Sequence, residues 1–431
     1  MQRRLVPWVL LTALLYFAAT GISTRHAQAM GWQTPQNQRP PVTQQPEEQA
    51  PEQAAPQPDQ QAIEQGTGQL FEQPSEQPSE QSYGQPGEAF TRRAPVEERS
   101  VFTQPHIGVI LPLQSSAFGR LAEQVRLGIV TASDVASYSA LPVTIYSTTT
   151  DTRRILEAYE QAIASGARAI IGPLTRDGVS SLAQNADISV PTIALNVPDA
   201  SILFPQNLYV FGLQIETEAE QVAQLAFKHG GRKVLLVTGK TALGQRIANA
   251  YTRKWHELQG DIADEFVYST DAIALTELRE LITTTAADVV FLAMNAPRAR
   301  FIRTYLGTQL PIYATSLVYA SSADKLQLYD LDGVRFMDMP WLLEQDHPAV
   351  MAYQRIRMES GALDEERFYA LGIDAYRIAQ ALLEDNGAPS RIDGVTGTIT
   401  LDQQHFERAL TPAFFFYGRA RLFTEEPGSD Q

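Results

Sequence analysis

The stretch His106-Ile-Gly-Val-Ile-Leu-Pro-Leu113 opens the part of the chain that decides the fold. It is a short aliphatic run that ends at Pro112, continues into a polar loop, and is followed by apolar residues at helical spacing. Seven further runs repeat this arrangement, at residues 143–146, 168–171, 191–194, 233–237, 264–268, 288–292 and 311–314. Such alternation is typical of parallel sheets that are covered by helices on both faces. The sequence therefore predicts an α/β fold in which ligands bind at the carboxyl ends of the strands.

The eight runs divide into two series of four, which predicts two Rossmann-like lobes with parallel open sheets. After residue 314 the order changes to a strand-like run, two helical segments and two strand-like segments, at residues 334–337, 347–359, 365–384, 397–401 and 414–422. We assign residues 104–213 and 341–388 to the first lobe, and residues 214–340 and 389–425 to the second. Three crossover segments are expected, near residues 211–214, 337–341 and 388–393.

Charge and cysteine content exclude several classes of protein. The formal net charge is −15, and residues 31–100 hold 11 acidic and 4 basic side chains, which is −7. Three arginines in the first 30 residues give +3, so residues 101–431 carry −15 + 7 − 3 = −11. An acidic body argues against nucleic acid as a partner. The absence of cysteine excludes disulfides, zinc–thiolate sites and thiol nucleophiles, and leaves no residue for lipid acylation in an outer-membrane lipoprotein.

The N-terminus has the pattern of an export signal. Arg3 and Arg4 precede an apolar stretch at residues 5–19, and Ala27-Gln28-Ala29 forms a small-x-small cleavage site. Residues 1–29 are therefore predicted to be a signal peptide, which places the body in the periplasm. The alternative is an uncleaved inner-membrane anchor, because the apolar stretch can be extended to residue 22.

Residues 30–103 are predicted to form a disordered linker. Residues 31–100 contain 16 Gln, 11 Pro and 10 Glu, and too few apolar side chains to offset the entropy of ordering. Frequent proline favours extended conformations. The segment is either a tether ahead of the folded part or a segment with no partner of its own.

Two similar lobes that share late elements resemble a type I periplasmic binding protein. Narrower motifs resemble the C-terminal domain of the LppC/LpoA family: Ala117-Phe-Gly-Arg120, Ile171-Gly-Pro-Leu174, Phe211-Gly-Leu-Gln214, Phe368-Tyr-Ala-Leu-Gly-Ile-Asp-Ala-Tyr376 and Gly394-Val-Thr-Gly-Thr-Ile-Thr-Leu401. The resemblance implies a non-enzymatic periplasmic activator of a class A penicillin-binding protein in peptidoglycan synthesis. The alternative is a solute-binding receptor of an ABC transport system. The chain departs from the family in having no acylatable cysteine and a linker where long members carry a helical-repeat domain.

Polar residues that follow predicted strands are the candidates for a ligand cleft: Gln114, Ser115, Ser116, Thr175, Asn196, Thr238, Asn295 and Ser316. Hydroxyls and amides near helix N-termini can bind the carboxylate or sugar of a small polar ligand. Amino-acid-binding relatives also use a buried acid for the ammonium group, and residues 315–319 contain none. The other interpretation is that these residues cap helices around an empty cleft.

Enzyme, metal and cofactor signatures are weak. Gly239-Lys240-Thr241 resembles the end of a phosphate-binding loop, but Val234 occupies the position of the required earlier glycine. Ser322-Ala-Asp-Lys325 matches a serine–lysine spacing without its companion motifs. The six histidines are scattered, which argues against a metal site. We therefore predict no enzymatic activity, no cofactor and no metal.

Aromatic residues near the second crossover suggest a different kind of site. Tyr319, Tyr329 and Trp341 are candidates for a surface that binds a protein partner, because Tyr and Trp are enriched in such surfaces. Ordinary core packing is the alternative.

Overall fold

The computed structural model describes residues 103–136, 140–198, 202–320, 325–355, 362–384 and 391–423. The predicted signal peptide, and the predicted linker apart from residue 103, lie outside these ranges. Among the helices within them, none is both long enough and apolar enough to cross a membrane.

The first lobe is built on one sheet, which has eight strands within the described residues and the order β11-β12-β13-β5-β4-β3-β1-β2. The strands are β1 His106–Leu111, β2 Val143–Ser147, β3 Ala167–Ile171, β4 Thr192–Ala194, β5 Leu208–Val210, β11 Arg391–Asp393, β12 Thr398–Asp402 and β13 His405–Ala409. The helices of this lobe are α1 Gly119–Val135, α2 Thr152–Ala164, α3 Arg176–Asn185 and α11 Leu363–Glu384.

The second lobe has a sheet of seven strands in the described part of the chain, in the order β15-β14-β10-β9-β8-β6-β7. The strands are β6 Lys233–Thr238, β7 Asp261–Val267, β8 Val289–Ala293, β9 Ile312–Ala314, β10 Val334–Asp338, β14 Thr411–Phe415 and β15 Ala420–Leu422. Its helices are α4 Ile215–Lys228, α5 Ala242–Glu257, α6 Ala272–Thr284, α7 Ala296–Leu306, a 3₁₀ turn at Ser316–Val318 and α8 Lys325–Tyr329. Two short helices, α9 Pro340–Leu343 and α10 Pro348–Met351, come before α11.

Strand β6 shows why the aliphatic runs become strands. Leu235 and Val237 face one core, which includes residues of α6 and α7. Val234 and Leu236 face the opposite core, which includes residues of α4 and α5. A strand covered on both faces must be apolar at every position, and this produces a continuous run rather than alternation. All eight predicted runs are confirmed as strands, β1–β4 and β6–β9.

Helices α1 and α11 of the first lobe approach each other backbone to backbone. A Cβ atom added at Gly128 would lie 2.0 Å from the carbonyl oxygen of Tyr369. A Cβ atom added at Gly372 would lie 2.1 Å from the carbonyl oxygen of Val125. These distances are below van der Waals contact, so only glycine fits at either position, and the long helix α11 belongs to the first lobe.

The assignment of residues 389–425 to the second lobe is wrong for strands β11–β13, which pair with the first sheet. The chain leaves the first sheet after Ala409 and enters the second at Thr411, so the third crossover lies at Leu410 and not at residues 388–393. The cause is Asp374 of α11, whose carboxylate accepts hydrogen bonds from the backbone N–H groups of Val395 and Thr396 at 3.1 and 2.7 Å. These bonds hold the β11–β12 turn against the first lobe.

The predicted parallel open sheets are confirmed, and both sheets also contain antiparallel pairs. Strand β12 is antiparallel to β11 and β13, and β14 is antiparallel to β10 and β15. Both sheets are mixed but dominated by parallel pairs. The antiparallel strands come from the C-terminal part of the chain, where short turns replace helical connections.

Candidate functional site

All three crossovers border one small cavity between the lobes, at Leu213, Met339 and Leu410. Its volume is about 40 Å³. That is room for a few water molecules, against roughly 300–1,000 Å³ for ordinary ligand pockets. The lining residues come from both lobes: Leu213, Ile215, Glu218, Ser316, Leu317, Asp338, Met339, Asp364, Arg367, Phe368, Arg408 and Leu410.

A buried ion pair joins the lobes at this cavity. Arg367 of α11, in the first lobe, lies 2.5 Å from Asp338, the last residue of β10 in the second lobe. Their side chains are 8% and 3% exposed. Arg367 also donates to Asp364 at 2.7 Å and to the carbonyl oxygen of Tyr319 at 2.9 Å. Because one guanidinium binds groups of both lobes, it fixes their relative position.

The electrostatics of Arg367 follow from this pairing. Burial alone would lower the pKa of the guanidinium, since it disfavours the charged form. The charge and hydrogen bond of Asp338, together with the charges of Asp364 and Glu218, outweigh burial and raise the pKa above its usual value. The guanidinium is therefore charged at any physiological pH.

Glu218 of α4 is a second buried charge at the cavity. Its carboxylate accepts hydrogen bonds from the backbone N–H and the hydroxyl of Ser316, the latter at 3.1 Å. Burial raises the pKa of Glu218 to about 7, the charge of Asp338 adds to this, and the bonds from Ser316 act in the opposite direction. Glu218 thus titrates near neutral pH.

The third crossover is held by an amide clamp. The side chain of Gln221 in α4 donates to the carbonyl oxygen of Arg408 at 2.8 Å and accepts from the N–H of Leu410 at 2.9 Å. The guanidinium of Arg408 donates to the carbonyl oxygen of Thr396 at 3.4 Å. The clamp therefore ties a helix of the second lobe to the end of a strand of the first.

Large apolar side chains occupy the rest of the space between the strand ends. A neighbouring cavity of about 30 Å³ shares two wall residues, Leu213 and Phe368, with the first. Its complete lining is Phe118, Leu174, Leu195, Asn196, Leu213, Phe368 and Leu371. Six of these seven side chains are apolar, so packing closes this second cavity, whereas the lining of the first includes five charged residues.

The predicted cleft residues of the first lobe all follow strand ends, but most contact their own loops. Ser115 accepts from the N–H of Phe118 at 3.2 Å, and the amide of Asn196 contacts Leu174 and Val197. Thr175 is buried at the N-cap of α3. Gln114 and Ser116 are exposed. Among these five residues, Asn196 alone lines one of the two cavities.

In the second lobe, too, most of the predicted cleft residues lie away from the cavities. Thr238 ends β6 and is buried, and Asn295 caps α7 by accepting from the N–H of Arg298 at 3.4 Å. Ser316 lines the interlobe cavity, where it binds Glu218. The structure therefore brings Ser316 and Asn196 to adjoining cavities and places the other six residues elsewhere.

The proposed aromatic partner surface is wrong for two of its three residues. Trp341 is 1% exposed and packs on Tyr369, with ring centroids 5.4 Å apart. Tyr319 is 9% exposed and packs on Phe336 and Phe415. Both belong to cores because the second crossover runs through the middle of the molecule. Tyr329 is 48% exposed.

The family is established by a match over most of the chain. The sequence model described as “LppC putative lipoprotein” matches residues 98–418, which include both lobes and nearly all the described residues. The chain belongs to the LppC family.

The LppC relatives include proteins of named function. The penicillin-binding protein activator LpoA of Haemophilus influenzae is 28% identical over 316 residues, which are 71% of this chain and 53% of that protein. The protein of the same name from Aliivibrio fischeri is 25% identical over 334 residues, 69% of this chain and 54% of its own. The chain spans about half the length of the curated relatives it matches.

Solved structures share the LppC fold seen here. The C-domain of LpoA from H. influenzae, a regulator of PBP1A, matches with a TM-score of 0.62 and 24% identity over 74% of this chain and all of that one. A protein from Chromobacterium violaceum, described as a “putative branched-chain amino acid ABC transporter”, matches with a TM-score of 0.64 and 36% identity over 72% of this chain and all of that one. The prediction of LppC/LpoA-like membership and of a type I binding-protein fold is confirmed.

The buried charges of this LppC domain escaped the sequence analysis, although each left a signal. Glu218 interrupts the apolar face that Ile215, Ala219 and Val222 form on α4. Arg367 does the same on the buried face of α11. A charge within an apolar helical face requires a partner.

Proposed function

We propose that this chain is a non-enzymatic periplasmic regulator that binds a class A penicillin-binding protein and activates peptidoglycan synthesis. The observation that carries the proposal is the closed space between the lobes. It is locked by the Arg367–Asp338 pair and walled by apolar side chains such as Leu213 and Phe368. A body locked in one arrangement presents a constant outer surface, which suits recognition of a protein.

The relatives support the same function. LpoA proteins are named as activators of penicillin-binding proteins, and the H. influenzae C-domain corresponds to the part that this chain shares with them. The proposal extends that role to this chain. It treats residues 104–425 as the recognition domain, with the third crossover at Leu410.

The absence of catalysis belongs to the proposal as well. Gly239-Lys240-Thr241 serves a structural purpose, since the hydroxyl of Thr241 accepts from the N–H of Gly244 at 3.1 Å and caps α5. Within the interlobe cavity Arg367 binds Asp338, and the carboxylate of Glu218 accepts a hydrogen bond from the hydroxyl of Ser316. Residues 321–324, and with them most of the Ser322–Lys325 motif, lie outside the described residues.

Location follows from the N-terminal sequence. We propose that residues 1–29 direct export and that residues 30–103 link this signal, or an anchor formed by it, to the domain. The test is fractionation of cells that produce the full chain, combined with mass determination of the mature protein. A chain that begins at Met30 in the periplasmic fraction supports cleavage, whereas a full-length chain in the inner membrane supports the anchor.

The binding test uses the full chain and a purified class A penicillin-binding protein from the same organism. Biolayer interferometry is expected to give saturable binding without any added small molecule. A solute-binding receptor of the same fold serves as the matched negative control. Failure to bind the synthase at micromolar concentration contradicts the proposal.

A solute receptor remains the second candidate, because the C. violaceum protein is 36% identical over its full length. This function requires the lobes to separate, since the cavity of about 40 Å³ does not hold an amino acid. A thermal-shift screen with leucine, isoleucine and valine tests it. A concentration-dependent rise in Tm, as mass action requires of a ligand that binds the folded state, would favour the receptor over the regulator.

A further inference from the structure

The two most exposed aromatic residues of the second lobe, among the described residues, lie on the β14–β15 hairpin, residues 411–423. At its tip, Phe416 is 49% and Tyr417 is 65% exposed, and their rings meet edge to face with centroids 4.4 Å apart. Leu422 of β15 is 37% exposed. Strand β15 is the outermost strand of the second sheet among the described residues. The hairpin tip therefore presents apolar side chains at an accessible edge.

The tip is held in a fixed conformation by a carboxylate from elsewhere in the chain. Tyr417 has a φ angle of +50°, and Gly418 has one of +64°. Asp332 accepts from the N–H groups of both residues, at 3.0 and 3.1 Å. A positive φ is unfavourable for tyrosine, and the two bonds from Asp332 offset this cost. The side chain of Tyr417 is 65% exposed in this fixed turn, so most of its ring is available to a partner.

A row of arginines and aromatic rings continues from the tip across the sheet. Arg335 of β10 and Arg421 of β15 are the register partners of Phe414 on either side, so the three side chains lie on one face. The Arg335 guanidinium lies 5.2 Å from the ring centroid of Phe423 and donates to the hydroxyl of Tyr313 at 2.7 Å. An arginine that is stacked on an aromatic ring keeps its charge but loses side-chain conformational freedom.

The local charge has the opposite sign to that of the body. Residues 411–423 contain Arg419 and Arg421 and no acid, and Arg335 adds a third positive charge on the same face. The carboxylate of Asp332 is committed to the turn. Residues 101–431 as a whole carry −11. A rigid, positively charged aromatic patch is complementary to the acidic surface of a partner.

We propose that the β14–β15 hairpin, through Phe416, Tyr417, Arg419 and Arg421, is the surface that docks an acidic face of the partner protein. This inference rests on the proposed function, in that the partner is the class A synthase. Tyrosine and arginine dominate the binding energy of protein interfaces, because they combine large contact areas with polar ends. Tyr329 lies at the same corner, since the N–H of Asp332 donates to its carbonyl oxygen at 3.1 Å.

The experiment measures the affinity of full-length chains for the purified synthase by biolayer interferometry. The aromatic variant Phe416→Ser/Tyr417→Asn keeps the turn, because asparagine tolerates positive φ. The charge variant is Arg419→Glu/Arg421→Glu. Each is expected to raise Kd by about tenfold or more. The charge variant should also make binding less sensitive to salt between 50 and 300 mM, since it removes attraction between the two surfaces.

Matched controls change exposed residues of the same kinds elsewhere. Met351→Ser removes an apolar side chain that is 64% exposed, and Arg153→Glu reverses an exposed charge on the first lobe. Both are expected to bind as the wild type does. Circular dichroism and Tm establish that all variants are folded.

The outcomes separate this inference from the proposed function. Wild-type binding that both hairpin variants retain overturns the docking surface alone. No binding by the wild type overturns the proposed function and the surface with it. If the hairpin variants lose binding to isolated peptidoglycan but bind the synthase as the wild type does, the hairpin is a glycan-binding surface instead. The hairpin variants could also bind the synthase with unchanged affinity but have a lower Tm. If deletion of residues 424–431 removes this loss of Tm, the hairpin binds the acidic residues 424–431 of its own chain.

Discussion

Arg367 and Asp338 form a buried ion pair, with 2.5 Å between guanidinium nitrogen and carboxylate oxygen, that joins the two lobes. The arginine belongs to α11 of the first lobe, and the aspartate ends β10 of the second. A buried ion pair adds little to the free energy of unfolding, because desolvation offsets most of the Coulomb attraction. It does restrict which arrangement of the chain can form. Its main effect here is to allow one relative position of the lobes.

Replacement of Arg367 by methionine tests this pair. Arg367→Met removes the cation that is hydrogen-bonded to Asp338, which is 2% exposed, and we expect a loss of roughly 3–5 kcal/mol in the free energy of unfolding. Addition of Asp338→Asn should recover part of the loss, because it removes the uncompensated charge. Urea unfolding of the full chain measures both effects. A double variant as unstable as the single one would refute the coupling.

Glu218 predicts a dependence of stability on pH. Its pKa is raised by burial from 4.5 to about 7 in the folded chain. Between these values the folded protein holds a proton that the unfolded chain has released, so the contribution of Glu218 falls as the pH rises from 4.5 to 7, by about 3 kcal/mol in total. Below pH 4.5 this contribution is fully present.

Glu218→Gln resembles the protonated side chain and does not titrate. We expect the unfolding free energy of Glu218→Gln to increase relative to that of the wild type as the pH rises from 5 to 8. Urea titrations at pH 5, 6, 7 and 8 measure it. Glu216→Gln, which removes a partly buried carboxylate paired with Arg246 at 2.9 Å in the same turn, is the control for the loss of a carboxylate there. Parallel profiles for wild type and Glu218→Gln would count against the raised pKa.

Asp374 holds the C-terminal strands in the first lobe. Its carboxylate accepts from Val395, and from the backbone and the hydroxyl of Thr396, the last two at 2.7 Å. Asp374→Ala leaves two buried N–H groups unsatisfied and should cost at least about 2 kcal/mol. Asp393→Ala, whose side chain is 60% exposed, is the matched control with an expected change below roughly 0.5 kcal/mol. Equal effects in thermal unfolding would contradict the assigned role of Asp374.

The contact between α1 and α11 tolerates no side chain at Gly128. Gly128→Ala forces the helices apart, because its Cβ would lie 2.0 Å from the carbonyl oxygen of Tyr369. We expect a destabilisation of roughly 1–3 kcal/mol, as in other overpacked cores. Gly239→Ala, where the nearest atom is 3.4 Å away, should change Tm little. Denaturation midpoints for the two variants test the difference, and a neutral Gly128→Ala would contradict the close approach.

Most of the fold could be predicted because its central strands are buried on both faces. Such strands need apolar residues at every position, so the sequence shows continuous aliphatic runs there. Caps such as Asp151 and Asp271 mark where the helices begin. Strand β13 gives no such run, since Phe406 is its one fully buried residue and the others are partly buried or exposed. The third crossover was therefore misplaced by about twenty residues.

The interlobe charges could not be paired from the sequence. Glu218 and Ser316 are 98 residues apart, and Arg367 and Asp338 are 29 apart. Periodicity reveals which face of a helix is buried, but not which distant element covers it. Trp341 and Tyr319 were misjudged for the same reason, because a sequence with many aromatic residues does not distinguish a core from a surface.

We propose that this domain recognises and activates a synthase and does not bind a solute. The most direct measurement is the peptide-crosslinking rate of a purified class A penicillin-binding protein, titrated with the full chain in the absence of small ligands. We expect a saturable increase in the rate, which the Arg419→Glu/Arg421→Glu variant reaches only at higher concentration. A rate that stays constant across the titration, together with a rise in Tm on addition of a small polar solute, would contradict the account.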